Sequence, residues 1–377
     1  MKKNLTHQIG NSKRRKQMKN LDQDFKKLAR RNKWKSRIVT ASISLFATLV
    51  VIAVAFFWRN NYILQQEKMV SEKFNITTEI SSPNTTYIFK GVNQGLLNGT
   101  YSLSAFKDLN GIPVSVGDTF VSYGATFGQN WNYGADRFFA TTNTNRFASI
   151  IGGQKEPEFF KSSSTNQTMY DDDGMAYPQE LETLDQLPKH LAEVAITFDK
   201  PYTYDEIQKM VPANLLTNWL WLGINAEETT ADNVYIGVST STDSYSIGEP
   251  QYDDNGKLVE QNYRTMIGSR TQDGNYQLND EMYADFVSAV KKSVTYPELK
   301  NLSFGSSSNG EKMHYFYPYR DAVKQIEKYP TLEKAKFSGI ILTGKTENFA
   351  QLKGKSWVLA SSVGATTEDL PYLKTQK

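Results

Sequence analysis

The sequence predicts an α+β protein with a single N-terminal transmembrane helix followed by β-rich and mixed α+β extracytoplasmic domains. One observation behind this prediction is an apolar run at 38–58, IVTASISLFATLVVIAVAFFW, which carries no charged side chain. Another is the change after residue 75 to segments rich in aromatic and β-branched residues, which favour strands. A third is a strand, short helix, strand pattern that occurs twice in the last half of the chain.

The apolar run has the length of a membrane-spanning helix. Its 21 residues extend about 31 Å as an α-helix, and a bilayer core is about 30 Å thick. A cleaved signal peptide is the alternative, because Ala53-Val54-Ala55 has the small-x-small pattern of a cleavage site. The 37 residues before the run are too many for the basic start of a signal peptide, and Phe56, Phe57 and Trp58 suit a membrane interface. We therefore expect an uncleaved anchor.

Charge is distributed unevenly across this run. Residues 1–37 contain fourteen Lys and Arg but only two acids, so they carry +12. The whole chain is +3, which leaves −9 for residues 38–377. Cytoplasmic flanks of membrane helices are enriched in Lys and Arg, so the N-terminus is expected inside and the bulk of the chain outside. The same positive charge predicts attraction to anionic lipid, and a position at the membrane argues against nucleic acid as a partner.

A short apolar stripe lies within the basic segment. Leu21, Phe25 and Leu28 recur at i, i+4 and i+7, which places them on one face of a helix. Such a stripe can enter an apolar groove of a partner protein, and it can also lie on lipid. These three residues are the candidate partner-binding site, and both readings remain open from the sequence.

Composition limits the other functions that the chain can have. There is no Cys and there are only three His, none at metal-ligand spacing, so no metal or cofactor is expected. The acidic run 171–174 is interpreted as a solvated turn, because it lacks the ligand pattern of a calcium loop. Asp205-Glu206 is interpreted as a helix-opening pair rather than a catalytic one. No catalytic motif is present, so we expect no enzyme, and residues 75–377 should fold without metal, reductant or cofactor.

The predicted organisation follows from these patterns. It comprises a basic cytoplasmic segment with a short amphipathic helix at 1–37, the transmembrane helix at 38–58, a stalk and β-rich region at 59–151, a linker at 152–184, an α+β domain at 185–366 and a tail at 367–377.

The C-terminal domain contains the repeated pattern. Its two units are 194–198, 204–210 and 219–224, followed by 337–343, 347–352 and 357–364. This duplication predicts a pseudo-duplicated, ferredoxin-like sandwich. Trp219 and Trp221 lie two apart and therefore point to the same face of a strand. That face is expected to be core, with an aromatic docking surface as the alternative, and Trp357 is expected in the core as well.

These segments resemble the sigma factor regulator family of single-pass membrane proteins from Gram-positive bacteria. The resemblance is carried by the basic stretch 25–37, the anchor at 38–58 and the following β-region, and by LAEVAITFDKPYTYDEIQKMVP, TNWLWLGIN and FSGIILTGKTENFAQLKGKSWVLASSVGAT. It implies a membrane-held, anti-sigma-type regulator that restrains an extracytoplasmic-function sigma factor by binding and responds to the envelope. Many anti-sigma factors carry a zinc motif of His and Cys, which this chain lacks.

A sigma contact must therefore come from the short basic helix, unless a membrane protein partner carries the restraint. The alternative function is an extracytoplasmic binding or assembly module of the cell envelope, in which the N-terminal segment serves only as an anchor.

Overall fold

The fold was analysed in a computed structural model. It describes residues 3–124, 131–133, 137–142, 146–160, 176–224, 234–240, 251–252, 258–259, 277–306 and 314–377. The chain divides into two compact units, Met1–Leu64 and Gln65–Lys377. Helix α1, Lys3–Ser81, begins in the first unit and ends in the second.

The first unit contains the apolar run, and all of that run is helical. The side chains from residue 18 to residue 58 are exposed, which suits a segment whose surroundings are lipid rather than protein. The hydroxyls of Thr40 and Thr48 donate hydrogen bonds to the carbonyls of Ser36 and Ser44, both at 2.9 Å. Two of the polar side chains of the run thus bond to the helix backbone, and one helix of the described residues is long and apolar enough to cross a membrane.

The second unit begins with the last turns of α1. Val70, Phe74, Ile76 and Ile80 are buried there, at 5% exposure or less. The sequence pattern predicted β-structure from residue 75, but α1 continues to Ser81. The β-branched residues in FNITTEI favour strand locally. Burial of one helical face outweighs that preference, since β-branching costs a helix only tenths of a kcal/mol per residue, roughly.

An antiparallel meander follows the helix. Its strands are β1 Thr85–Gln94, β2 Asn98–Leu109, β3 Ile112–Gly124 and β4 Trp131–Tyr133, hydrogen-bonded in that order. Side chains of β2 alternate between half-buried and buried, as expected for a strand with one face on a core.

Asn-Gly pairs favour tight turns, so the sequence predicts turns at 98–99 and at 110–111, and the two predictions differ in outcome. Asn110 and Gly111 have φ of 57° and 89° and form the turn between β2 and β3, as predicted. The prediction of a turn at Asn98-Gly99 was wrong, because both residues belong to β2 and the turn lies at residues 95–97.

A small sheet connects the meander to the C-terminal region. It contains β5 Arg137–Thr141, β6 Phe147–Ile151 and β7 Gln154–Lys155. Beyond it, Phe159 and Phe160 are 3% and 5% exposed, so this described part of the predicted linker at 152–184 is packed. The domain boundaries that we expect from the sequence stay a prediction.

The C-terminal region is built on a five-stranded sheet. Its strands are β8 His190–Thr203, β9 Leu216–Trp221, β10 Gly237–Ser239, β15 Lys336–Lys345 and β16 Val358–Glu368. They lie in the order β10-β9-β15-β8-β16, and each neighbouring pair is antiparallel.

This order shows the predicted duplication. Strands β8 and β9 are connected through helix α2, Tyr204–Met210, and β15 and β16 through a 3₁₀ helix, Thr346–Leu352. Strand β15 lies between the two strands of the first unit, and β8 lies between the two of the second. Two interleaved split β-α-β units of this kind form the ferredoxin-like arrangement.

The remaining described elements are short. They are the 3₁₀ helix Glu180–Gln186, strands β11 Gln251–Tyr252 and β12 Leu258–Val259, helices α3 Asp280–Ser293 and α4 Pro297–Lys300, strands β13 Phe304–Ser306 and β14 His314–Phe316, and helix α5 Pro318–Lys328. The sequence predicts helix α3 from its apolar face and offers Asn279 or Asp280 as its cap. The cap is Asn279, whose side chain accepts a hydrogen bond from the backbone of Met282.

The two faces of the five-stranded sheet are both covered. One face contributes to a large core that includes Ile196, Ile207 and Phe349. On the other face Trp219 and Trp221, 1% and 3% exposed, pack with Phe159. The tryptophan pair is therefore core, as expected.

Trp357 is only partly buried, in contrast to the prediction. It lies just before β16 and packs edge-on against Phe198, with 5.8 Å between the ring centroids.

Candidate protein-binding segment

The predicted binding residues lie on helix α1 in the first unit. Leu21, Phe25 and Leu28 are 54%, 65% and 56% exposed. A helix advances about 100° per residue, so spacings of four and three bring the three side chains to one face. The structure leaves this stripe uncovered by the described part of the chain.

Met18 extends the same stripe and was missed by the sequence reasoning. It is 67% exposed and lies three positions before Leu21. The four residues then follow spacings of three, four and three, which is the pattern of a helix that packs along a partner. The signal was present in the sequence, but the preceding polar residues concealed where the stripe begins.

The opposite side of the helix carries the positive charge. Lys19, Lys26, Arg30 and Arg37 fall on the face away from the stripe. Asp22 forms an exposed ion pair with Lys26 at 3.1 Å, a helix-surface contact worth only about 0.3–0.5 kcal/mol. The segment thus combines an apolar face with a basic face. It suits an apolar groove with an acidic rim, or an anionic lipid surface.

In the second unit, the last turns of α1 are held by two parts of the fold. The Tyr101 hydroxyl, from β2, donates a hydrogen bond to the Glu67 carboxylate at 2.8 Å. The Tyr296 hydroxyl, just before α4, donates to the Glu72 carboxylate at 2.9 Å. Loss of solvent, together with this hydrogen bond, raises the pKa of Tyr296 to about 12, so the group stays a donor at neutral pH.

Glu79 occupies a less favourable position near the end of the same helix. Loss of solvent around the carboxyl raises its pKa to about 7, although the residue as a whole is exposed. The negative charge of Asp285 adds to this rise, and Lys292 opposes it. Glu79 is therefore a group whose charge changes near neutral pH.

A buried polar network lies between the meander and the five-stranded sheet. The Glu193 carboxylate, fully buried, accepts hydrogen bonds from Lys107 Nζ at 3.0 Å, Asn84 Nδ2 at 2.9 Å and the Ala365 backbone at 3.2 Å. A buried charge is tolerated only when it is paired and hydrogen-bonded, and here it is both. This arrangement suits a structural role, in which Glu193 holds the meander against the five-stranded sheet.

The network continues through hydrogen bonds that join β9 and β15 to residues just before β1 and just after β2. Asn218 donates from Nδ2 to Asn84 Oδ1 at 3.1 Å and accepts from the Thr343 hydroxyl at 2.8 Å. The Asn110 backbone N–H donates to the same Thr343 hydroxyl at 3.1 Å. Sequence reasoning found none of these contacts, because their partners lie more than one hundred positions apart.

The other residues weighed from the sequence have structural positions or lie outside the description. Glu206 forms a capping box with Thr203 at the start of α2, and the hydrogen bonds from Thr203 lower the pKa of its carboxyl. The helix-opening interpretation is confirmed. The acidic run 171–174 falls outside the described residues. Within the described ranges, no three His, Asp or Glu side chains are grouped as metal ligands.

Comparison with known protein families matches two regions of the chain. Residues 26–114 match the family described as sigma factor regulator N-terminal, and residues 184–365 match the one described as sigma factor regulator C-terminal. No curated protein and no solved structure matches significantly.

The fold and the two matches together define a class of protein. It is a regulatory protein with a long apolar N-terminal helix of the kind that anchors single-pass membrane proteins. The chain belongs to the sigma factor regulator family, which implies a sigma factor as partner.

Proposed function

We propose that this protein is a membrane-anchored, anti-sigma-type regulator that acts by binding. In this proposal residues 1–37 lie in the cytoplasm and bind an extracytoplasmic-function sigma factor. Residues 59–377 lie outside, where the second unit, Gln65–Lys377, senses the envelope. The observation that carries the proposal is the exposed stripe Met18, Leu21, Phe25 and Leu28 on α1, in a family whose members regulate sigma factors.

The charge distribution supports the orientation. The segment before the apolar run carries +12 and the rest of the chain carries −9. Lys and Arg near the end of a membrane helix stay on the cytoplasmic side during insertion. This orientation gives the stripe access to a cytoplasmic sigma factor.

The chemistry of the segment supports a helix-in-groove contact. An amphipathic helix buries its apolar face in a groove, with anchors at spacings of three and four residues. A fully buried Leu or Phe side chain contributes about 1.5–3 kcal/mol, so four such anchors can sustain a specific complex. The basic face would then pair with acidic groups at the rim, which adds to the association rate more than to affinity.

The hydrogen bonds between residues 65–81 and the rest of the second unit support the sensing part of the proposal. Glu67 and Glu72 are bound by tyrosines from two different regions, the meander and the α3–α4 region. A ligand or a mechanical load that alters either region acts directly on the helix that continues to the anchor.

The decisive experiment compares variants of the full chain in membranes. In the variant Phe25→Ser with Leu28→Ser, we expect loss of sigma factor co-purification and derepression of a reporter gene that the sigma factor transcribes. The matched control is Trp34→Ser, which removes a side chain 68% exposed on another face of α1. The control should keep both activities.

The same experiment separates the alternatives. If the stripe binds only lipid, the double variant and the control will both retain the sigma factor and the repression. If the protein is an envelope assembly module, deletion of residues 1–30 with the anchor kept will leave its cellular effect unchanged. Either result would overturn the proposal.

A further inference from the structure

The turn between β1 and β2 carries two exposed leucines. Leu96 is 77% exposed and Leu97 is 40% exposed. The turn is closed by a hydrogen bond from the Gly95 backbone N–H to the Asn98 carbonyl at 2.8 Å. Gly, Asn, Asp, Ser and Pro normally occupy such positions, because they help the backbone to reverse. Leucine has no such conformational advantage in a turn, and exposed apolar side chains at a turn indicate a contact surface.

The end of the hairpin is apolar on both faces and uncharged. Val92 and Phe120 are 44% and 40% exposed. Val92 is opposite Tyr101, whereas Phe120 is opposite Ser102, so the two side chains lie on opposite faces. No charged residue occurs in 91–106 or in 119–134. The hairpin and the neighbouring strand β3 therefore form an apolar wedge, which we define as Val92, Leu96, Leu97 and Phe120.

The direction of the wedge follows from contacts within the second unit. Tyr101, near the start of β2, binds Glu67, while Lys107, near its end, donates to the Pro83 carbonyl. Strand β2 therefore runs in the same direction as residues 65–81. The turn before β2 lies at the end of the unit where the chain leaves through Gln65.

A membrane is within reach of this end. Only eight residues lie between Trp58, at the end of the apolar run, and Glu67. Even fully extended, the nine steps from Trp58 to Glu67 span about 30 Å. An uncharged loop with exposed aliphatic side chains can enter the bilayer interface without the cost of desolvating a charge.

We propose that this apolar wedge inserts into the interfacial region of the bilayer that anchors the chain. The proposal rests on the membrane anchor, but not on the sigma factor contact. The wedge gives the outer unit a second, noncovalent attachment to the membrane. Changes in lipid packing would then act on β1 and β2, and through Tyr101 on the helix at Glu67.

The test uses the full chain reconstituted in lipid vesicles. The chain has no Cys, so Gln94→Cys, beside the turn, introduces a single thiol for an environment-sensitive fluorophore and keeps both leucines. The comparison site is Phe147→Cys, 79% exposed and outside the wedge. We expect blue-shifted emission and several-fold stronger quenching by nitroxide-labelled lipid at position 94 than at position 147.

Further variants make each outcome decisive. Adding Leu96→Asn and Leu97→Asn, which suit the turn, should reduce the lipid quenching at position 94 to the level at 147. Water-like emission at position 94 in the parent chain would overturn the proposal. Shielding from water without lipid quenching would indicate a protein partner or a second copy and would also overturn it. Resistance to alkaline extraction checks the anchor separately in every sample.

Discussion

Lys107 Nζ lies 3.0 Å from Glu193 Oε1, in an ion pair whose two side chains are 7% and 0% exposed. Lys107 belongs to the region that matches the N-terminal family and Glu193 to the region that matches the C-terminal family. The two matched regions of the second unit therefore share a buried contact. We expect this unit to unfold as one cooperative structure.

Removal of one partner of this pair should be strongly destabilising. Lys107→Met leaves the Glu193 carboxylate buried with only neutral donors, at an expected cost of about 3–5 kcal/mol. The measurement is urea unfolding in detergent, followed by near-UV circular dichroism. Adding Glu193→Gln should recover part of the loss, because no charge then remains buried.

A matched control exists for this prediction. Lys90 pairs with Asp118 at 2.8 Å, but their side chains are 48% and 40% exposed. Lys90→Met should therefore change the free energy of unfolding by no more than about 1 kcal/mol. Equal losses in the two lysine variants would contradict the assignment of the buried pair.

Trp221 should be a stability residue rather than a docking residue. Its ring stacks on Phe159 with 4.8 Å between centroids, and the side chain is 3% exposed. Trp221→Ala should cost about 3–5 kcal/mol, since it creates a cavity between the sheet and its covering segment. The exposed Phe147 gives the control, because Phe147→Ala should leave the melting temperature almost unchanged.

Glu79 should make the stability of the second unit depend on pH. Its pKa is about 7 in the folded protein, above its value in the unfolded chain, so the folded state binds more protons between these two values. Stability should therefore fall as pH rises through this window. Glu79→Gln should flatten this part of the stability profile and stabilise the unit at pH 8. An unchanged slope would show that other groups dominate the titration.

The orientation can be tested without unfolding. Protease added to intact protoplasts should digest the chain beyond the apolar run and spare residues 1–37, because the positive flank stays inside. Antibodies against the two ends report which part survives. Survival of the C-terminal region in intact cells, with digestion only after lysis, would reverse the assigned topology.

Elements that depend on local patterns could be predicted from the sequence. Helix α3 has a capping Asn279 and an apolar face, and both signals lie within a few residues of one another. The repeated strand, helix, strand units also follow from short patterns. Their interleaving in one sheet was found because the ferredoxin-like arrangement pairs such units in a known order.

Features that depend on distant contacts could not be predicted. The segment FNITTEI favours strand by composition and becomes helix because Phe74 and Ile80 are buried against later parts of the chain. The Lys107–Glu193 pair joins residues 86 positions apart, and no local signal connects them. Met18 was missed for a different reason, since its neighbours in sequence are polar. The stripe residues Leu21, Phe25 and Leu28 are exposed on one helical face, and their role as a binding site stays a prediction.

The burial of Val70 and Phe74 sets where the second unit can be separated from the apolar run. A fragment that begins at residue 75, the start of the folding unit expected from the sequence, would lack both side chains. It would expose the apolar surface that they cover, since they are 0% and 1% exposed in the intact chain, so that boundary lies too late in the chain. An intact domain should therefore be released only by cleavage before Gln65. For any protease at the membrane surface, the few positions between Trp58 and Gln65 decide whether the product is a folded domain or a substrate for further degradation.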